Sequence, residues 1–327
     1  MRRLLGPILI GLGVFLVAAA ALIRFYAYPT LAVAPIDQNS VTELSAEDAV
    51  IFDSNPEVLD NVTVDLAIRS RTVGDVEGSN KAPDGVLCWV NTTLVTSSDG
   101  VQRSASVERM GHDEVTGEFA DGCDSFTETT EGERVPAEAE GLIYKFPFGT
   151  EKKDYDFWDG DVGEALPAVY DGTDSVEDMS VYRFVQTIPE TNVGTLEVPG
   201  SLVGSDEPSV EADQLYQNTR TFYVEPATGA VVNRIDDQLS QLSYEGQTVT
   251  LNDSTVHYTD EQVVDLVDEV SLKAMLLNGA RLLYPLLLLG LGTLCIVGGF
   301  LLVRRSRRES VPDEQPREKT PLAGSSA

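Results

Sequence analysis

The chain has 327 residues and a formal net charge of −30, from 53 acidic and 23 basic side chains. A surface this acidic repels phosphate, which disfavours nucleic-acid binding and docking on anionic lipid. Residues 1–28 carry three arginines, and residues 304–327 carry six basic and four acidic side chains, so residues 29–303 hold −35. The ends are therefore basic and the middle acidic, as suits a central part that faces an external medium.

The first predicted element is an uncharged helix over Leu4–Ile23, preceded by Arg2 and Arg3. About 20 apolar residues suffice to cross a bilayer, and we assign residues 1–28 to a cytoplasmic end and a transmembrane helix. A signal peptide cut near the Ala18–Ala21 run is the alternative. We favour an uncleaved signal anchor, because the apolar region of a signal peptide has only about 7–15 residues.

Residues 29–258 are predicted to form a mainly β extracytoplasmic domain, as a sandwich or as open, barrel-like sheets with few helices. Val62–Ile68, for example, alternates apolar and polar side chains with the period of a half-buried strand. The segment Pro226–Gly229 has the composition of a tight hairpin turn. The predicted strands are Val62–Ile68, Val86–Val95, Leu142–Phe146, Val181–Ile188, Thr221–Glu225, Ala230–Ile235 and Gln247–Leu251.

Two of the three cysteines, Cys88 and Cys123, lie in this domain, whereas Cys295 lies in an apolar segment near the end of the chain. A pair of cysteines on the oxidising side of a membrane predicts a disulfide. Two buried thiols are the alternative. A bond would close a loop of about 35 residues and stabilise the fold by roughly 3–4 kcal/mol.

Residues 259–281 are predicted to form an amphipathic helix that leads to the membrane. Thr259 and Gln262 have the spacing of a capping box, in which each side chain bonds the backbone of the other. Apolar residues then recur at helical spacing and predict the buried face of the helix. They are Val263, Val267, Val270, Ala274 and Leu277.

A second transmembrane helix is predicted over residues 282–303, which are uncharged for 22 positions. Four arginines follow directly, and such a cluster marks the cytoplasmic side. Both termini are therefore expected in the cytoplasm of a plasma-membrane protein, with a disordered tail over residues 304–327. Gly11 and Gly13 in the first helix, and Gly290 and Gly292 in the second, give each a small face where another helix could approach closely.

Four aspartates, Asp154, Asp156, Asp159 and Asp161, form the run DYDFWDGD. Calcium prefers several oxygen ligands from one loop, so these residues are a candidate metal site. Their spacing is not that of an EF-hand, and an ordinary acidic turn beside Trp158 is the alternative.

Catalytic motifs are not evident. The chain has only two histidines, and it lacks a GxSxG elbow, an HExxH pair and a phosphate-binding glycine loop. We therefore predict that the protein is not an enzyme and needs no cofactor. An envelope hydrolase is the third functional hypothesis, and it would require a cleft that holds carboxylates with shifted pKa values.

Three stretches resemble a known family: Phe146–Phe184, with Trp158-Asp159 and Tyr182-Arg183-Phe184, then Phe222–Ile235, and then His257–Val263 before the last apolar segment. Together with the two-span layout, they are similar to an actinobacterial envelope family labelled porin PorA. The resemblance implies a plasma-membrane protein of bacteria with a mycolic-acid outer layer. Some relatives look linked to polar growth and to trafficking of trehalose monomycolate alongside a large lipid-exporting transporter.

The resemblance leads us to expect a protein that binds an envelope glycolipid, such as trehalose monomycolate, or a lipid transporter. An acyl chain would need an apolar cleft, for which the candidate side chains are Phe157, Trp158, Tyr170, Tyr182 and Phe184. Ordinary core packing is the alternative for these five aromatics. A non-catalytic scaffold of an envelope-synthesis complex is the second functional reading. A pore is disfavoured, because two apolar helices cannot line one and the strands lack the aromatic girdles of an outer-membrane barrel.

Overall fold

The computed structural model describes residues 2–128, 132 and 134–308. The chain divides into two compact units. One contains the two apolar terminal helices, and the other is the β domain Thr30–Asn278. The tail predicted to be disordered over residues 304–327 is helical over residues 304–308, so that part of the prediction is wrong, and from residue 309 onward it lies outside the described residues.

The β domain is built on one antiparallel sheet of twelve strands. The strands are β1 Asn39–Asp53, β2 Asp60–Gly74, β3 Val86–Ser97, β4 Gln102–Asp113, β5 Phe126–Glu128, β6 Arg134–Pro136, β7 Tyr155–Asp159, β8 Glu164–Val176, β9 Met179–Val198, β10 Val210–Glu225, β11 Ala230–Tyr244 and β12 Gln247–Tyr258. Their order is β6-β5-β4-β3-β2-β1-β12-β11-β10-β9-β8-β7, so the first and second halves of the domain meet where β1 pairs with β12. The mainly β prediction is confirmed, as one open sheet rather than a sandwich.

The edge strands β6 and β7 are not paired with each other, but single bridges lead from the end of β4 across to β7. These bridges pair His112 with Phe119, Glu118 with Leu142, and Leu142 with Phe157. The Leu142 amide donates to the Asp156 carbonyl at 2.8 Å, and the Leu142 carbonyl accepts from the Trp158 amide at 3.0 Å. The segment around Leu142 therefore joins the two halves of the sheet at one end.

The predicted strand Leu142–Phe146 is wrong. Only Leu142 makes bridges, and Tyr144 has a left-handed backbone with φ of 62°. An extended ladder cannot continue through that conformation. The apolar side chains are instead distributed among separate clusters, since Phe146 and Leu142 enter one core and Ile143 enters another.

The described residues contain five α-helices: α1 Arg2–Leu22, α2 Tyr28–Leu31, α3 Val76–Ser79, α4 Asp260–Asn278 and α5 Tyr284–Arg308. Short π-helical turns cover Ile23–Ala27 and Gly279–Leu283, and a 3-10 turn covers Gly200–Val203. The buried residues of α4 are the five predicted from its apolar period. Val267 and Val270 pack against Val181 of β9 and Val232 of β11.

The start of α4 is fixed to strand β1. Thr259 accepts from the Gln262 amide at 3.3 Å, as a helix cap should. The Gln262 side chain does not return to Thr259, however, but accepts from the Glu43 amide at 2.9 Å. The predicted capping box is therefore half formed, and its second half is replaced by a link between the helix and the sheet.

The predicted disulfide between Cys88 and Cys123 is confirmed, with a Cα–Cα distance of 5.4 Å. Both cysteines are buried. Cys88 lies in β3, and Cys123 follows β4, so the bond ties the polar segment after β4 back to the sheet.

Helices α1 and α5 are each part of a helical segment long and apolar enough to cross a membrane. They pack against each other at glycines. A Cβ placed on Gly13 would lie 2.6 Å from the Gly292 carbonyl oxygen, and one on Gly299 would lie 2.7 Å from the Gly6 carbonyl oxygen. Gly11 and Gly290, also predicted as small faces, have nothing within 4 Å of such a Cβ. Gly6 and Gly299 therefore take the place in the interface that was predicted for Gly11 and Gly290.

Replacing Gly13 with isoleucine should force the two helices apart by about 1–2 Å, since side-chain size sets helix–helix distances within a range of roughly 8–10 Å. Spin labels on cysteines introduced at Leu5 and Leu301, in a chain whose Cys295 is replaced by alanine, would report the distance between the helices by double electron–electron resonance. Gly11→Ile is the matched control and should leave the distance unchanged. Equal distances in both variants would contradict glycine-mediated packing.

Candidate functional site

The main candidate site of the β domain is a cavity of about 1030 Å³. Its walls are side chains of strands β1–β4, β7 and β10–β12, the segment Ile143–Phe148 and helix α4. Ligand pockets in proteins usually measure about 300–1,000 Å³. The cavity is therefore large enough for a substantial ligand or for part of a long one.

One wall of the cavity is polar and uncharged. Strand β3 contributes Asn91 and Thr93, whose neighbours in the register of β2 are Thr72 and Ser70. The Asn91 amide donates to Ser70 Oγ at 2.7 Å and to Thr72 Oγ1 at 2.9 Å. These groups form a continuous hydrogen-bonding surface inside the domain, with Thr42 beside Ser70 on strand β1.

Aromatic side chains form the adjoining wall. Trp89 and Tyr144 line the cavity with ring centroids 5.9 Å apart, and the ring of buried His112 lies 4.4 Å from that of Trp89. The indole N–H groups of Trp89 and Trp158 are buried, and neither has an acceptor in the part of the chain that the structure describes. Buried donors without partners are rare in native proteins, so each calls for an explanation.

Glu108 lies between the polar and the aromatic walls. It is the register neighbour of Asn91, and a Cβ placed on Gly160 would be 3.8 Å from both Glu108 Oε2 and Trp158 Nε1. Burial raises the pKa of the Glu108 carboxyl, and the charge of Asp161 adds to this shift. Burial and the charge of Glu108 raise the pKa of Tyr144 well above its ordinary value.

A buried ion network supports the opposite side. Arg220 Nε donates a hydrogen bond to Asp236 at 2.6 Å, and Arg220 Nη2 lies 3.1 Å from Asp159 Oδ2. Asp236 also pairs with Arg234, whose Nε is 2.8 Å from its second oxygen. Burial would lower the pKa of Arg220, but the charges of Asp236 and Asp159 outweigh burial and raise the pKa. Both arginines line the cavity with their charges already neutralised.

The part of the cavity formed by helix α4 is more apolar. Leu266, Val270, Leu276 and Leu277 of this helix line it. Leu31 and Val33 contribute from the segment before β1. The cavity thus combines an apolar region with a polar one, which is the arrangement that an amphipathic ligand requires.

The predicted aromatic residues fall into two groups. Phe157 and Trp158 line the cavity. Tyr170, Tyr182 and Phe184 do not, and pack instead in the core around Phe146, whose ring centroid is 4.6 Å from that of Phe184. For these three, the arrangement is that of an ordinary core. A ligand role for Phe157 and Trp158 stays a prediction.

The four aspartates of the predicted metal site are not brought together. Asp159 is buried and faces Arg220, whereas Asp154 accepts from the Tyr170 amide at 2.9 Å. Asp156 and Asp161 are both exposed. Within residues 2–128, 132 and 134–308, no group of three or more histidine, cysteine, aspartate or glutamate side chains is placed to hold a metal ion.

Trp89, Asn91 and Glu108 were not among the predicted site residues. Trp89 and Asn91 lie in a strand that the sequence does predict, and their two-residue spacing places them on one face. That two-residue spacing is the sequence pattern from which Trp89 and Asn91 could have been predicted. No local pattern identifies Glu108, because it reaches the site only through the pairing of β3 with β4.

Comparison with known proteins agrees with this architecture. The family profile described as "Porin PorA" matches residues 5–301, which include most of both apolar helices and the whole β domain. A protein named "Porin PorA" from Corynebacterium amycolatum is 24% identical over 301 residues, covering 72% of this chain and 77% of the relative. Another of that name, from Corynebacterium resistens, is 25% identical over 145 residues, covering 30% of this chain and 35% of the relative. Because the profile spans nearly the whole chain, the protein belongs to the porin PorA family.

Proposed function

We propose that this protein is a membrane-anchored, non-catalytic envelope protein whose β domain binds an envelope glycolipid and assists its traffic to the outer layer. The observation that carries the proposal is the cavity of about 1030 Å³ with its polar and apolar regions. A domain without such a cavity would have favoured the scaffold reading. Orientation with both termini in the cytoplasm, and a lipid-exporting transporter as a partner, belong to the same proposal.

Binding in the cavity uses the two regions differently. The acyl chain would contact the leucines of α4 together with Phe157 and Trp158, because apolar burial is the main favourable term for a lipid chain. The polar head would contact Asn91 and Glu108, where hydrogen-bonding groups converge.

The name of the relatives suggests a pore, but the β domain does not have the surface of a membrane barrel. Such barrels carry an outward apolar band flanked by aromatic girdles. Among the described residues of Thr30–Asn278, no phenylalanine, tyrosine or tryptophan is exposed. The exposed aromatics belong to the terminal helices and their flanks. These features support a water-exposed domain.

An envelope hydrolase, the third hypothesis from the sequence, has one observation in its favour. Glu108 lines the cavity and has a raised pKa, as the general acid of a glycosidase requires. Incubation of the protein with a glycolipid, followed by product analysis, separates the two functions. Release of free sugar would show that the protein hydrolyses the glycolipid and would contradict the proposal of a non-catalytic carrier.

The decisive experiment is native mass spectrometry of the full chain purified from an actinobacterial host, with extraction of bound lipid. We expect a glycolipid at near-stoichiometric level. Trp158→Ala should reduce this lipid by about fivefold or more, because a large buried aromatic contributes roughly 1–3 kcal/mol. Tyr170→Ala is the matched control, since Tyr170 lies outside the cavity and should leave the lipid content unchanged. A lipid-free wild-type chain that also takes up no added glycolipid would contradict the proposal and favour the hypothesis of a non-catalytic scaffold.

A further inference from the structure

The cations that line the cavity all have partners. Arg220 and Arg234 pair with Asp236, and Lys273 pairs with Glu269 at 2.7 Å. The Lys145 ammonium donates to the Phe146 carbonyl at 2.7 Å, and burial lowers its pKa to about 7. Lys145 has no carboxylate partner among the described residues, but with a pKa of about 7 it is mostly uncharged at pH 8. At that pH an anionic head group would therefore find, along the described walls, only cations that are already paired with carboxylates.

The anions that line the cavity are not balanced in the same way. Glu108 and Asp265 also line it, and neither belongs to an ion pair that the structure shows. The Asp161 carboxyl is a further negative group close enough for its charge to act on Glu108. A phosphate in this space would meet carboxylates of like charge, which repel it strongly where little water screens the interaction.

Uncharged hydrogen-bonding groups, by contrast, are abundant. The polar wall presents the amide of Asn91 and the hydroxyls of Ser70, Thr72 and Thr93. The indole N–H groups of Trp89 and Trp158 complete the set as donors without acceptors among the described residues. A hydroxyl group both donates and accepts, so it can satisfy an indole N–H and a carboxylate at once.

We infer that the cavity selects lipids with an uncharged, hydroxyl-bearing head group and excludes anionic phospholipids. The selection rests on the proposed lipid-binding function and adds its specificity. Attraction comes from the hydroxyls of the polar wall and from the indole N–H groups of Trp89 and Trp158, and rejection comes from Glu108. Specificity of this kind combines favourable contacts for one ligand with an unfavourable contact for its competitor.

The test offers the full chain, in neutral detergent at pH 8, an equimolar mixture of three dioleoyl lipids. They are glucosyl diacylglycerol, phosphatidylglycerol and diacylglycerol, which share acyl chains and differ only in the head. Native mass spectrometry then counts the retained molecules. We expect the glucosyl lipid to exceed phosphatidylglycerol by about tenfold or more, equivalent to about 1.4 kcal/mol. Diacylglycerol, which has one hydroxyl, should fall between the two.

Each other result has a definite meaning. Equal retention of the glucosyl lipid and phosphatidylglycerol would overturn the selectivity and leave the lipid-binding function standing. Retention of none of the three would overturn the lipid-binding function itself. A preference for phosphatidylglycerol would show that the paired cations are available to a ligand after all, and would also overturn the inference.

Two variants separate attraction from rejection. Glu108→Gln removes the carboxylate and should raise phosphatidylglycerol retention about fivefold, with little change for the glucosyl lipid. Trp158→Phe removes one indole N–H and keeps an aromatic ring, so it should lower glucosyl-lipid retention by about threefold to tenfold. Thr92→Val, on the exposed face of β3 beside Asn91, is the matched control and should behave as the wild type. An unchanged preference in both cavity variants would contradict the roles given to Glu108 and Trp158.

Discussion

Replacing Arg220 with methionine should lower the free energy of unfolding of the β domain by about 3–5 kcal/mol. Arg220 is the cation between two buried carboxylates, Asp159 and Asp236, which are 1% and 4% exposed. Removal of the guanidinium would leave Asp159 without a cationic partner in a site that water barely reaches. An unpaired buried charge is among the most destabilising defects that one substitution can create.

The same side chain holds five strands together. Arg220 on β10 contacts Asp159 at the end of β7, Asp236 on β11 and the side-chain oxygen of Gln186 on β9 at 3.2 Å. Gln186 in turn donates to the carbonyls of Phe157 and of Leu166 on β8. Because β7 is a short edge strand, this network is what positions Phe157 and Trp158 at the cavity.

Urea unfolding followed by tryptophan fluorescence measures the effect directly, since both tryptophans lie in the β domain. Arg183→Met is the matched control: its ion pairs with Asp171 and Asp174 are largely exposed, and such pairs contribute at most about 1 kcal/mol. Asp159→Asn in the Arg220→Met chain should recover part of the loss by removing the unpaired charge. Similar losses for Arg220→Met and Arg183→Met would refute the buried-network argument.

The sequence predicts those elements whose apolar period is uninterrupted. Helix α4 is one, because its five buried residues repeat at helical spacing and a cap precedes them. Strand β1 was missed for the opposite reason. Its register shifts between Ala46 and Ala49, where Asp48 adopts a φ of 51°, so a bulge breaks the two-residue alternation.

The cavity explains why a second strand was not predicted from the sequence. Strand β4 was not predicted, and part of its inward face, including Glu108, is polar because it faces a cavity instead of a packed core. Polar residues on both faces remove the alternation on which strand prediction relies. The composition of a loop and that of a cavity wall are then alike.

Of the five aromatic residues singled out from the sequence, Phe157 and Trp158, which are adjacent in the chain, line the cavity, and their ligand role stays a prediction. Tyr170, Tyr182 and Phe184 belong to the core around Phe146. Glu108 and Trp158 are 50 positions apart and both lie near Gly160, on strands that are linked only by single bridges near Leu142. Long-range pairings of this kind leave no periodic signal in the sequence.

His112 should make the β domain less stable in mild acid. Its ring is fully buried against Trp89, and neither ring nitrogen has a hydrogen-bond partner among the described residues. Burial and the charge of Lys145 lower the pKa of His112 from 6.5 to about 4. Between pH 6.5 and 4 the unfolded chain therefore binds more protons than the folded chain, and stability falls as the pH falls. From pH 7 to pH 5 this residue should cost about 2 kcal/mol.

His112→Phe removes the titrating group, keeps a ring of similar size and leaves no polar atom unpaired. The wild type and the variant should therefore diverge by about 2 kcal/mol between pH 7 and pH 5, with the variant favoured at pH 5. Burial raises the pKa of Glu108, which acts in the opposite direction, so the informative quantity is the difference in stability between the two chains. Urea unfolding at the two pH values gives that difference. Parallel pH dependence in the two chains would mean that His112 takes up a proton as readily when folded as when unfolded, and the closed aromatic environment described for it would be incorrect.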